Sequence, residues 1–504
     1  MRLVRLLTPS LADFLFLAVF FWLLFFTISS PQGGLLGDSD TGYHIRTGDY
    51  VLSHGDVPRV DIFSFTREGE PWFAWEWLSG VLFSLAHQAA GMRGVIVLSA
   101  AVLALANLVL LRHMVWRGAN FLVVIAMLHF AIGASSVHYL ARPHIFTLLL
   151  FAISWFVLDV DRSRPTRWVW VLVPLSVLWV NLHGGFLALL VTLAILSAGS
   201  WLEWRFGQVK LGSRFQQAGR YAILFVACLA ATLLNPYGYR VHQHAIDFLR
   251  QPWIRELVFE FQSPKFSSGE SGYFEIMLIG GILCAAWLIS KRQYASALLT
   301  IAWAHAGLTS VRHVSVYAFV VTPLLASAVM VMWNRWTSDA QRNSLAGILD
   351  SIGREHTRHL SHSSVWPVLV VAALFWTPLG LPFPQGFPPA MYPVDLISKH
   401  EDLLVNKRVF TTDEWADFLT YKYYPEHRVF FDSRTDFYGE EFSRQYLRIL
   451  NGNYGWKDGL EKQRVEAVLI PTDSALSSLL SLDAAWRRVE IDGQAVLFER
   501  IPKY

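Results

Sequence analysis

Apolar residues run almost unbroken for about nineteen positions from Leu11 to Ser29, long enough for a helix to cross about 30 Å of hydrocarbon. Further apolar runs of roughly spanning length cover 93–111, 120–138, 142–159, 167–182, 185–202, 219–234, 273–290, 294–309, 314–333 and 364–381. With the first, they predict about eleven transmembrane helices. The first run follows Arg2 and Arg5 and is longer than a signal-peptide core, so it reads as a retained signal anchor. The stretch from Trp75 to Ala90 is apolar but short, and it carries Glu76, His87 and Gln88. It reads as an interfacial helix anchored by Trp75 and Trp77.

The pattern changes after Leu381. A Pro-rich linker, LPFPQGFPPAMYP, leads into a polar stretch in which short alternating segments (RVFTT, HRVFFD, EAVLIP, WRRVEID, AVLFER) predict strands. Between them DEWADFLTYK, EEFSRQYLRIL and a Ser/Leu segment predict helices. The expected organisation is an α-helical polytopic membrane domain over 1–381, with a first outer loop at about 30–92, and a soluble α/β domain over 382–504.

Composition agrees: of 504 residues 54% are hydrophobic and 16% charged, which excludes a string of soluble domains. Lys+Arg (42) nearly balances Asp+Glu (39), so bulk charge gives no nucleic-acid footprint. Cys228 and Cys284 both lie in apolar runs, which excludes a disulfide framework and a cysteine metal site. With the N-terminus cytoplasmic, about seventeen basic residues fall in inner connections and about nine in the longer outer ones. An odd number of spans then puts the C-terminal domain outside.

The unusual polar residues gather in the outer connections. They are Gly37-Asp38-Ser39-Asp40-Thr41-Gly42-Tyr43-His44, Arg142-Pro143-His144, Asn181-Leu182-His183-Gly184-Gly185, Asn235-Pro236-Tyr237-Gly238-Tyr239-Arg240, and Arg312-His313. Taken alone, Asp38 and Asp40 read as an Asx turn or a helix N-cap for the segment starting near Tyr43. Set among the other clusters, they read as a carboxylate pair able to act as general base or to hold a cation. Arg142, His144, His183, Arg240, Arg312 and His313 supply donors at the membrane face where a lipid phosphate would lie. Singly, each also reads as an interfacial side chain or a satisfied helix-end histidine. Tyr43, His44, Asp61 and Glu76 are candidates for supporting roles. No His-x-x-x-His or Cys-x-x-Cys spacing, P-loop or dinucleotide fingerprint is present.

The layout of about residues 1–335, centred on the acidic motif Asp38-Ser39-Asp40 just after the first span, resembles the polytopic GT-C glycosyltransferases. That fold is shared by protein mannosyltransferases, oligosaccharyltransferases and the lipid A aminoarabinose transferase. Helices parallel to the membrane (about 43–54 and 75–90) and an outer C-terminal domain belong to the resemblance. Within bacteria, GDSDTGYHIRTGDYVLSHGDVPRVDIFSF is similar to the first loop of a GT-C-like group. Many relatives have Asp-Glu where this chain has Asp-Ser-Asp, which leaves open which carboxylate is catalytic. The resemblance implies a bacterial inner-membrane enzyme that moves a sugar from a polyprenyl-phosphate donor to a lipid, glycan or protein acceptor on the outer face, with inversion. It also admits Mg²⁺ or Mn²⁺ between Asp38 and Asp40, although relatives differ in metal need. Two competing readings are a lipid-linked glycan ligase or polymerase, leaning on the large outer loop at about 235–273, and a transporter or flippase, leaning on His129 and His305 inside apolar runs.

Overall fold

The computed structural model describes residues 6–206, 212–267 and 269–502; Arg2, Arg5 and Lys210, counted above among the inner basic residues, lie outside them. Among the described residues, seven helices are long and apolar enough to cross a membrane: Leu11–Ser29, Trp77–Trp116, Phe121–His138, His144–Ser163, Gly184–Phe206, Gly272–Ser290 and Val311–Thr337. The chain is therefore a multi-pass, mostly helical membrane protein. The other predicted runs also form helices, but Arg167–Leu182 and Trp366–Trp376 are shorter, as is Tyr294–Thr309, and Gly212–Ala231 opens on polar residues. The run expected to reach residue 381 stops at Trp376, where Thr377 turns extended ahead of Pro378.

The segment starting near Trp75 is a real helix with a physical end. Trp77–Trp116 is broken at Ala90 and at Gly91, whose φ of +60 only glycine adopts freely. The arm before the break packs on the Asp40–His54 helix, where Gly48 and Gly80 cross. A Cβ on Gly48 would stand 2.1 Å from the Gly80 carbonyl oxygen, so the two backbones touch.

The C-terminal part carries a mixed four-stranded sheet in the order β1-β2-β4-β3. β1 (Val409–Thr411) runs parallel to β2 (Ala467–Pro471), while β4 (Ala495–Arg500) pairs antiparallel with both β2 and β3 (Trp486–Ile491). Four of the five predicted strands are present. The fifth, HRVFFD, stays out of the sheet because its backbone is used elsewhere. The Val429 N–H donates to the Phe63 carbonyl (2.9 Å), and the Phe65 N–H donates to the Val429 carbonyl (3.0 Å), joining it to the first outer loop. The Asp413–Tyr423 helix docks on the Asp40–His54 helix at Gly42, where a Cβ would meet Tyr421 Cβ at 2.8 Å.

Candidate functional site

Asp38 ends the turn that enters the Asp40–His54 helix, and its Oδ1 accepts the Asp40 N–H (2.9 Å), closing an Asx turn at the helix start. Its Oδ2 remains available and accepts from Arg142 (2.9 Å). The expected turn and an ion pair with Arg142 thus use the two oxygens of one side chain. Arg142 is fixed by its neighbour: the Ala141 N–H donates to the Leu35 carbonyl (2.7 Å), and the Ala141 carbonyl accepts from Thr41 (2.8 Å). Held there, the guanidinium also meets Asp40 (2.5 Å) and Glu260.

Glu260 is a participant that sequence reasoning missed. It lies in the short Phe259–Phe261 turn of the large outer loop. Ser310 donates to its carbonyl (2.8 Å), and the Val311 N–H donates to the Gln262 carbonyl (3.0 Å). These bonds pin the turn against the segment that carries Arg312. The Arg312 guanidinium lies 4.4 Å over the Phe261 ring and, among the described residues, forms no ion pair.

A second acidic centre sits beside the first. Glu76 faces His183 Nε2 (3.3 Å) and His44 Nε2 (3.5 Å). Trp77 donates to Asn181 (2.9 Å) and Ser79 to the Leu182 carbonyl (2.7 Å), which aligns the helix start with the His183 turn. His183 Nδ1 accepts the Gly185 N–H (2.9 Å), so in the neutral ring the hydrogen is on Nε2, facing Glu76. Gly185 is required for close approach, since a Cβ would come within 2.3 Å of Thr147 Oγ1. His144 is near, but its Nε2–H is spent on the His138 carbonyl (2.6 Å).

Burial governs the electrostatics. It pushes the Asp40 carboxyl up to about 8, against the pull of Arg142 and with the help of Asp38. It raises Glu76 to about 7, again opposed by Arg142 and then Arg312. Burial, reinforced by Arg312 and Arg142, lowers His183 to about 3, and His44 also falls well below the usual histidine range.

The C-terminal part closes this site. Ser39, between the two aspartates, donates to Asp417 (2.9 Å), whose other oxygen is buried with no hydrogen-bond partner among the described residues. Asp61, a candidate for a supporting or capping role, accepts the Ser64 N–H (3.0 Å) and binds Arg434 (2.7 Å), which also pairs with Asp432 (2.6 Å). Arg434 is buried, 4.4 Å over Trp72 and 5.0 Å from the Phe63 and Phe437 rings. Two more candidates stand apart from the carboxyl cluster: Arg240 stacks on Phe73 (5.4 Å), and the His313 ring packs against Trp303 (6.1 Å). Tyr43 lies between the acidic centres, where burial and then the neighbouring Asp40 and Glu76 raise its hydroxyl well above the usual range.

The position considered for Mg²⁺ or Mn²⁺ is taken by the Arg142 guanidinium. Among the described residues no group of three or more His, Cys, Asp or Glu is arranged to hold a metal ion.

The fold that carries this arrangement is similar to those of solved oligosaccharyltransferase and ArnT structures. The apo oligosaccharyltransferase of Archaeoglobus fulgidus aligns with a TM-score of 0.54 at 11% identity, over 92% of this chain and 69% of its own. The oligosaccharyltransferase AglB from Archaeoglobus fulgidus, in complex with an inhibitory peptide and a dolichol-phosphate, aligns at 0.55 and 11% identity over 96% and 73%. ArnT from Cupriavidus metallidurans in the apo state aligns at 0.50 and 13% identity over 97% of both chains. No protein-family model matches the chain, and no curated protein matches it in sequence.

Proposed function

We propose that the chain is a membrane glycosyltransferase that takes a sugar from a polyprenyl-phosphate donor. The observation that carries this reading is an acidic motif held with Glu260 on Arg142, with Arg312, which forms no ion pair among the described residues, on the segment pinned against the Glu260 turn at one end of a GT-C-like helical bundle. Asp40 is the base: its raised proton affinity suits general-base work near neutral pH, while Asp38 is engaged in fixing the turn. The acceptor's O–H or N–H gives its proton to the Asp40 carboxylate as the O or N bonds to the anomeric carbon. The bond from that carbon to the phosphate oxygen breaks in line, so the carbon inverts and polyprenyl phosphate leaves. Arg312, whose guanidinium forms no ion pair among the described residues, meets the departing phosphate. His183 and His44, oriented by Glu76, line the approach, and Arg142 is committed to the carboxyl groups. The dolichol-phosphate bound by the archaeal relative supports a donor of this class.

In this reading all eleven predicted runs, short ones included, cross a bacterial inner membrane. The N-terminus is cytoplasmic, and the part from about residue 382 lies on the outer face, packed on the first outer loop. A transporter finds less support: His129 and His305 are exposed on the outside of the bundle, away from any interior path. The test is transfer of labelled sugar from a panel of polyprenyl-phosphate donors by purified protein and by Asp40→Asn. Transfer lost in the variant with donor binding kept is the expected result. Transfer unchanged removes Asp40 from the chemistry, and no transfer by wild type across the panel removes the reading.

A further inference from the structure

Three carboxyl groups from two distant stretches of chain, Asp38 and Asp40 before one helix and Glu260 in the large outer loop, converge on one cation, and that cation is the Arg142 side chain. An oxygen-ligated divalent ion needs those same oxygens at about 2.0–2.6 Å. Here the guanidinium nitrogens already stand 2.9 Å from Asp38 and 2.5 Å from Asp40, with Glu260 also in contact. An ion placed among them would have to displace the arginine and face its charge.

The arginine is not free to leave. Its backbone neighbour Ala141 is held from both sides, by the Leu35 carbonyl and by the Thr41 hydroxyl. Glu260 is pinned independently through Ser310 and Val311. Arg142 is thus drawn in by groups whose positions are set by separate parts of the fold. The planar fork suits the task, because its nitrogens can serve several carboxyl groups at once where an ammonium offers a single point of charge.

We propose that Arg142 is a built-in cation: its guanidinium holds the place among Asp38, Asp40 and Glu260 that a divalent metal would need, and the site works without one. Its part in sugar transfer rests on the function proposed above, whereas the occupancy of the cation position does not. Arg142 therefore organises the carboxyl groups and leaves the phosphate to Arg312.

The experiment is Mn²⁺ binding to EDTA-treated purified protein, followed by electron paramagnetic resonance, alongside transfer with and without chelator. Wild type is expected to bind no Mn²⁺ at this site up to about 1 mM, the weak end for oxygen-ligated divalent sites. Transfer should change less than twofold with EDTA. Arg142→Ala, checked for monodispersity, should gain one Mn²⁺ site with a Kd in the range of about 10⁻⁵ to 10⁻⁴ M. Adding Glu260→Gln should remove it.

Wild-type protein that binds one Mn²⁺ and loses it in Asp40→Asn would overturn the proposal, as would a folded Arg142→Ala that binds none. The wild-type titration decides the matter even where the variant does not fold. Because Mn²⁺ is read by resonance, failure to find a donor leaves this result intact, and the two readings fail separately.

Discussion

The two ends of the His144–Ser163 helix carry the same kinds of side chain in opposite proportions. At its C-terminal end one carboxylate, Asp159, receives the His113 ring (2.6 Å) and the Arg117 fork (2.5 and 2.8 Å). Asp161 close by takes the Thr166 N–H (2.7 Å), Arg220 (3.1 Å) and Tyr221 (3.2 Å). At the N-terminal end the ratio is reversed. One guanidinium serves three carboxyl groups while, among the described residues, Arg312 pairs with none and Asp417 keeps a buried oxygen without a partner. A charge cluster whose carboxylates are each met by cations and other donors of the fold fastens helices together. A cluster with carboxyls in excess on one side and a spare cation on the other is arranged for something that arrives from outside.

That contrast breaks most sharply on paired substitutions. Asp40→Asn should lower transfer by about 10²–10⁴, the usual contribution of a general base, with little loss of stability. Asp159→Ala should do the reverse, costing about 3–5 kcal/mol because it strands buried donors, with turnover near wild type in the protein that remains folded. Labelled-sugar transfer and thermal unfolding, measured on both variants, check the pair.

Arg312→Ala comes next, with an expected loss of about 10²–10³ in kcat, in keeping with removal of one donor to developing charge. Arg117→Ala at the other end should leave kcat alone.

The pH profile gives a smaller and more particular effect. A base must be ionised to work, so transfer should rise as pH climbs through about 8 and level above it, and the limb should vanish in Asp40→Asn. The same raised carboxyl holds its proton when folded and loses it near 4 when unfolded. Its contribution to stability is therefore complete below about pH 4 and is lost as pH rises towards 8. Asp40→Asn should not show that slope.

The smallest effect is expected at the Gly48–Gly80 crossing within the first outer loop. Gly48→Ala forces the Asp40–His54 helix off Gly80 and should cost about 1–3 kcal/mol. A drop in melting temperature larger than the drop in transfer would check it.

Much of this was legible in the chain. The Asp38–Asp40 pair, Arg142, His183 and Arg312 stood out because charged and imidazole groups are rare at short turns between apolar runs, and the structure brings these together. Four strands followed from alternation. What was not legible depends on pairing across long separations. Glu260 sits between two phenylalanines with no motif around it, and only bonds to the 310–311 segment bring it to Arg142. Asp61 is a candidate for a supporting role from its loop alone, and nothing in that loop names its partner Arg434, which lies far along the sequence. HRVFFD has the alternation of a strand, but its hydrogen bonds go to Phe63 and Phe65 rather than to a sheet. Local pattern names the element and is silent about which edge it will meet.

The cage around Arg434 has a consequence for anyone who would exchange parts between such proteins. A cut placed in the Pro-rich linker, where the sequence invites it, separates Arg434 from Asp61, Trp72 and Phe63 and leaves a buried charge facing a foreign loop. The transferable cassette is discontinuous: the stretch of about 58–77 must travel with the chain beyond 409. Heredity would feel the same constraint, and these two stretches should recombine together or not at all.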